Sequence, residues 1–304
     1  MSAKSLALAA LMLAAPMLAG CAPQTSAPAA APAAPTGKAL AVACADRDGW
    51  SDPAPPAKLF GNTYYVGTCG ITALLIDAPA GPILIDAATA EAAPAILANI
   101  RALGFDPKRI RAILTSHEHF DHVGGLAALH AATGAPVIAL ADAAPQLESG
   151  TPDPRDPQRG ALDSFTGVPV AQRLRDGQPL AFADIRITAH ATPGHTPGST
   201  SWTWQSCEGS ACRTIAYVDS LTAISADGYR FSDHPDYVAM LRATFARVPT
   251  LPCDILVTPH PGASNLFARL AGEAPLAGAD GCAAYAAAAS KRLDDRLAKE
   301  AATR

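Results

Sequence analysis

The chain has 304 residues, 49% of them hydrophobic, seven cysteines and a formal net charge of -4 at pH 7. That is enough apolar material for a sizeable core, and no Lys/Arg block supplies the basic footprint that nucleic-acid binding requires. One folded domain is expected, and DNA or RNA partners are excluded.

In chain order, the first segment reads as an address rather than as structure. Lys4 gives a positive start and "LALAALMLAAPML" is an apolar run of thirteen residues, short of the roughly 20 that a spanning helix needs. The ending "LAGC" resembles the lipobox of bacterial lipoproteins. It implies a signal peptide over residues 1–20, cleavage before Cys21, a diacylglyceryl group on the Cys21 sulfur, and a periplasmic protein lipid-anchored to the outer membrane. Residues 21–40, mostly Ala and Pro, read as a semi-extended tether with little to bury. The folded domain is expected over 41–304.

From residue 59 the pattern turns strand-like. "NTYYVGTCG" is followed by "TALLIDAPAGPILIDA", two apolar runs broken by Pro-Ala-Gly-Pro, which predicts a hairpin. "AEAAPAILANIRALGF" has helical spacing and stops at Gly; "RIRAILTSH" predicts a strand, "VGGLAALHAATG" a helix and "PVIAL" a strand. A less regular Pro-, Asp- and Gly-rich stretch covers 142–180. The loop within it, 142–170, reads equally as a lid carrying Phe165 or Gln158 and as plain surface. The alternation then restarts: "IRITAHATPGHTPGS", "TSWTWQSC" and "RTIAYVDS" as strands, "DYVAMLRATFARV" as a helix, "DILVTPHPG" as a strand, and an Ala-rich helix around 282–300. Two similar halves predict an α/β sandwich, sheets face to face with helices outside.

Without Cys21, six cysteines remain in a chain that reads as exported, and there is no C-x-x-C pair, so disulfides are the expected use. Order along the chain favours Cys44 with Cys69, Cys207 with Cys212 and Cys253 with Cys282, each contributing about 2–4 kcal/mol.

The densest chemistry is "SHEHFDH". It follows the apolar run 110–114, so its side chains leave the end of a strand. If the segment is extended, His117, His119 and Asp121 share one side and Glu118 and Phe120 turn away, with His122 joining as a helix begins near Val123. Imidazole and carboxylate donors suit zinc, and three protein ligands with an open position mark a catalytic site. His195 in "TPGHTPGS" and His260 in "VTPHPGAS" sit in Gly/Pro-rich turns that can aim side chains into the same cleft, completing a set of six.

Together "TSHEHFDHVGG", "TPGHTPGS", "YVDS" and "TPHPGAS" resemble the metallo-β-lactamase superfamily, in order and separation, over about residues 59–270. The ligand set is similar to that of class B, subclass three. The resemblance implies a four-layer αββα sandwich and two Zn2+ per subunit, one held by His117, His119 and His195, the other by Asp121, His122 and His260. It further implies opening of the lactam amide of penicillins, cephalosporins and carbapenems by a zinc-bound hydroxide, hence antibiotic resistance. Asp121 would orient that nucleophile and assist proton transfer, Ser220 and Thr222 would hold the substrate carboxylate, and the enzyme would be a monomer whose partners are small β-lactams.

Two other functions compete. If Asp219 in "YVDSL" bridges the metals, as in glyoxalase II-like members, a thioester or lactone hydrolase is implied, although "SLTA" lacks the Leu-Phe pattern usual after that Asp. A noncatalytic zinc-binding lipoprotein would not need a six-donor set. His130, His190 and His234 read as packing, packing and helix-cap residues, and Trp202 and Trp204, two apart, as an amphipathic strand.

Overall fold

Short Leu-, Ile- and Val-rich runs punctuated by turn residues fold as strands wherever both faces can be covered. In the computed structural model, which describes residues 36–303, they form two sheets. The first contains β1 (Ala57–Phe60), β2 (Thr63–Tyr65), β3 (Leu74–Ile76), β4 (Ile83–Ile85), β5 (Ala112–Leu114), β6 (Val137–Leu140) and β7 (Val170–Leu174), side by side in that order. Its first four strands are antiparallel and β4 to β7 are parallel. The second contains β8 (Pro179–Phe182), β9 (Ile185–Ala191), β10 (Thr200–Glu208), β11 (Ala211–Tyr217) and β12 (Ile255–Val257). It is antiparallel except for β11 with β12.

The helices are α1 (Gly37–Ala43), α2 (Ala93–Ala102), α3 (Phe120–Val123), α4 (Leu126–Thr133), α5 (Ala144–Ser149), α6 (Pro235–Arg247), α7 (Leu266–Leu270) and α8 (Gly281–Ala302). Strand alternation sorts the apolar residues into three cores. Leu74, Ile76, Ile83 and Ile85 point at Trp202, Trp204, Ile215 and Val257 between the sheets. Leu75, Leu84 and Ile113 face the other way, onto Ile96 and Ile100 of α2 and Leu126 and Leu129 of α4. On the far side of the second sheet, Ala216 and Leu256 pack against Leu241 and Phe245 of α6 and Tyr285, Ala289 and Leu293 of α8. Helix, sheet, sheet and helix make the four-layer αββα sandwich.

The expected strands and helices are found, and the disulfides pair as Cys44–Cys69, Cys207–Cys212 and Cys253–Cys282. Cys207 and Cys212 are direct cross-strand partners on β10 and β11. Structure exceeds expectation at several places, α7 among them. Strands β1 and β8 lie in stretches without a clear alternating pattern, and α5 and β7 order parts of 142–180. At the N-terminal side, Thr36 caps α1 and Leu40 is fully buried, so folded structure starts several residues before 41. The signal segment, Cys21 and most of the tether lie outside the described residues. Among the described residues, no helix is long and apolar enough to cross a membrane.

The end of α8 is fastened by charge. Glu300 accepts the N–H groups of Phe231 (3.2 Å) and Ser232 (2.8 Å) and the guanidinium of Arg296 (2.6 Å). Burial works against its charge, but these donors win and pull its carboxyl down to about 2. A carboxyl lowered on folding stabilises fully above its unfolded value of about 4.3, and the contribution disappears as pH falls toward the folded value. Glu300→Gln should therefore cost about 1–3 kcal/mol at pH 7, with the gap from wild type closing between pH 4.5 and 2. Thermal denaturation of both proteins across that window measures it.

Candidate metal centre

Parallel pairing brings the carboxyl ends of four strands together. β4 leads to Asp86, β5 to Ser116 and His117, β11 to Asp219 and Ser220, and β12 to His260, while His195 comes from the turn joining β9 to β10. Such strand ends are where open α/β sheets place their sites, because the loops leaving them are free of the ladder. His119 is extended, but α3 already begins at Phe120, not near Val123, so Asp121 and His122 are carried on one helical turn. That turn is clamped to the end of β4: Ala87 N–H donates to His122 O (2.9 Å) and Gly125 N–H to Ala88 O (2.9 Å). A Cβ at Gly125 would lie 2.4 Å from the Ala87 carbonyl oxygen, so the approach requires glycine. Glu118 turns away, accepting from Thr196 Oγ1 (2.8 Å) and Gly198 N–H (3.1 Å), and ties this loop to the His195 turn; burial pushes its carboxyl up to about 7.

The six predicted donors converge. The candidate ligand atoms of His117, His119 and His195 all lie within 4.8 Å of one another, as do those of His117, Asp121 and His122. His260 joins the second group: His122 Nε2 is 3.1 Å from Asp121 Oδ2, His260 Nε2 is 3.3 Å from His122 Nε2, and His260 Nε2 is 3.5 Å from Asp121 Oδ2. Tetrahedral ligands at the usual zinc distances are separated by about 3.3 Å, so this triangle has the edges of a coordination shell. His117 Nε2 is buried with no hydrogen-bond partner among the described residues, the signature of a donor awaiting a cation.

Four of the five rings are held from behind by a hydrogen bond. His117 Nδ1 faces Asp219 Oδ1 at 2.7 Å, His119 Nε2 faces Asp156 Oδ2 at 2.8 Å, and His195 Nδ1 faces Thr222 Oγ1 at 2.8 Å and Thr222 O at 3.1 Å. His260 Nδ1 meets Gly70 O at 3.2 Å, and His122 Nδ1 lies 3.6 Å from Asp86 Oδ2. The four hydrogen-bonded rings are fixed in orientation with the other nitrogen left for a metal, whereas His122 Nδ1 at 3.6 Å is beyond hydrogen-bond distance. Burial and neighbouring imidazoles hold His117 well below the usual range and His195 at about 3; burial and His122 hold His260 at about 4. Those rings are neutral at pH 7, the form that ligates. Burial alone would raise Asp121, but His122 and His260 keep its carboxyl well below the usual carboxylate range.

Asp86 was not legible as a site residue. It sits at φ +63°, a conformation Asp tolerates better than most residues. It accepts from Ser116 N–H (2.7 Å), Ser116 Oγ (2.6 Å) and Tyr217 OH (2.6 Å), fastening the start of the ligand loop to both sheets. Asp156 was also missed, because it lies in the irregular 142–170 stretch. Asp219 stands behind His117 and belongs to neither donor group. Ser220 is buried beside it, and Thr222 backs His195. Trp50 is 43% exposed and stacks edge-on against Phe120 at 5.5 Å, with His260 at 6.1 Å, forming an apolar wall beside the second group. The remaining histidines are occupied elsewhere: His130 with Ala135 O, His190 with Thr203, and His234 at the start of α6, stacked on Tyr229. Trp202 and Trp204 fill the central core, their indole N–H groups donating to Thr115 O and Thr63 Oγ1.

Residues 66–207 match the metallo-beta-lactamase superfamily. Among solved structures, metallo-β-lactamase MIM-1 from Novosphingobium pentaromativorans is 55% identical, with a TM-score of 0.86 over 88% of this chain and 99% of that one. BJP-1, a subclass B3 metallo-β-lactamase of Bradyrhizobium japonicum, is 34% identical, with a TM-score of 0.76 over 84% and 97%. A hydroxyacylglutathione hydrolase of Fuscovulum blasticum is 31% identical over 186 residues, 60% of this chain, and the chain spans 59% of that relative's length. Identity sustained along nearly the whole of a solved relative, on the same fold, settles the ancestry: this chain belongs to the metallo-β-lactamase superfamily.

Proposed function

We propose that the protein is a zinc-dependent β-lactam hydrolase with two Zn2+ per subunit, one at His117, His119 and His195 and the other at Asp121, His122 and His260. The observation that carries this reading is the Asp121–His122–His260 triangle adjoining the three-histidine group, on a chain 55% identical to a metallo-β-lactamase. Zinc, when bound, supplies Lewis acidity that polarises an amide carbonyl and makes water acidic near neutral pH.

The chain's own residues do the rest. Asp121 belongs to the second donor group, which adjoins the first through His117, and its carboxylate orients the attacking water and relays a proton to the amide nitrogen. Water oxygen bonds to the carbonyl carbon, the C–N bond breaks, and the nitrogen leaves protonated. Thr222 Oγ1 accepts from His195 Nδ1–H, so its own proton is left to donate to the substrate carboxylate, with Ser220 beside it. The Trp50 and Phe120 rings give the cleft an apolar flank that sheds water from the substrate.

The three disulfides suit an oxidising compartment. With the signal segment and Cys21 they support a periplasmic protein, lipid-anchored at the outer membrane. The likeness to a hydroxyacylglutathione hydrolase favours a second reading, thioester hydrolysis with Asp219 bridging the metals. Asp219 Oδ1 is engaged with His117 Nδ1 while its buried Oδ2 has no hydrogen-bond partner among the described residues, so the lactam reading rests on Asp219 lying outside both donor groups. Measuring kcat/KM for a carbapenem and for a glutathione thioester on one zinc-loaded preparation decides between them. The lactam is expected to win, and a ratio favouring the thioester would reverse the assignment.

A further inference from the structure

The stretch 142–170 touches the metal centre at one point. Asp156 is 4% exposed, and its Oδ2 lies 2.8 Å from His119 Nε2. Its other oxygen accepts Gln158 N–H at 2.7 Å. Its backbone N–H donates to Asp153 O (3.0 Å) and its carbonyl accepts Arg159 N–H (3.0 Å). Asp153 is braced in turn by Gln146 Nε2 (3.1 Å) and the Arg155 guanidinium (2.8 Å), and Ala226 N–H reaches Pro157 O at 2.8 Å. The carboxylate is therefore built into position by its own turn and does not depend on His119 to order it. Within 153–158 the chain is neither a free lid nor idle surface, because lifting it would release a ligand ring.

We propose that Asp156 is a positioning residue for the first metal group, fixing His119 with its proton on Nε2 and its Nδ1 lone pair directed at the cation. This deepens the proposed function and rests on the metal-centre reading given there. The other two rings of that group differ in what backs them. Asp219, at the end of β11, backs His117, and the neutral Thr222 backs His195. Of these three backing residues, Asp156 comes from the connection between β6 and β7. A carboxylate behind a ligating imidazole sets the tautomer and raises ligand basicity, and losing such a partner typically weakens metal binding about 10–100-fold. Asn does not reproduce it, since the two donors meet different oxygens and the amide NH2 would face either Gln158 N–H or His119 Nε2–H.

The test compares two single-site backgrounds by zinc titration against a chromophoric chelator, with the melting midpoint of the metal-free proteins as a folding control. His260→Ala leaves the first group intact, and His195→Ala leaves the second. Asp156→Asn is expected to lower zinc affinity about 10–100-fold in the His260→Ala background and to leave the His195→Ala background unchanged. Unchanged affinity in both backgrounds, or equal loss in both, overturns the proposal; equal loss is what a general folding defect produces. If neither background binds zinc with Asp156 present, the metal-centre reading fails first and this inference falls with it.

Discussion

Asp121→Ala is expected to lower kcat/KM for a carbapenem by about 10²–10⁴-fold, the range for removing a group that handles a proton in the transition state. The same substitution removes one corner of the second donor triangle, in which Asp121 Oδ2 stands 3.1 Å from His122 and 3.5 Å from His260. Zinc content should therefore fall toward one per chain. Asp121→Asn separates the two effects: it retains a donor oxygen while losing the charge that balances the cation and accepts the proton. If Asn keeps both zincs yet loses most turnover, the proton relay is the larger contribution. Near wild-type turnover in the Ala variant would show that Asp121 takes no part in activating the water.

Asp86→Ala should damage the fold without adding bulk. The carboxylate is fully buried and accepts three hydrogen bonds, from Ser116 N–H, Ser116 Oγ and Tyr217 OH. Stranding a buried donor costs about 1–3 kcal/mol, and the three are coupled, so the expected loss is on the order of 4 kcal/mol. Ala at φ +63° adds backbone strain. Against a total stability of about 5–15 kcal/mol, that leaves a marginal protein. Urea denaturation measures the change; a midpoint within error of wild type would show that water replaces the carboxylate. Asp86→Asn, which keeps the shape and two acceptor lone pairs, should recover part of the loss.

The convergence of the six candidate donors was legible because their chemistry and their spacing coincide. Histidine and aspartate crowded just beyond an apolar run admit few other uses, and His195 and His260 lie in turns that end strands. The central strands were legible for a similar reason, since Leu74, Ile76, Ile83 and Ile85 belong to dense apolar runs either side of a Pro/Gly turn. Asp86 and Asp156 were not. A lone acidic residue after a strand, or within a Pro-rich loop, has no periodic signature, and its role exists only through partners 30 and 37 residues away. The early start of α3 escaped for a local reason: reading His117 to Asp121 as one extended segment ignores the hydrogen bonds from His122 and Val123 back to His119 O. Thr222 shows the converse, a residue singled out for substrate whose hydroxyl is also spent on a ligand.

The most direct measurement is hydrolysis of a carbapenem and a cephalosporin, followed in the ultraviolet, by the purified domain from residue 36 onward with its zinc content known. Two zincs per chain, turnover that stops on chelation and turnover that returns when zinc is restored are the predicted result. Two bound zincs with no lactam turnover would contradict the account and move thioesters and lactones to the front.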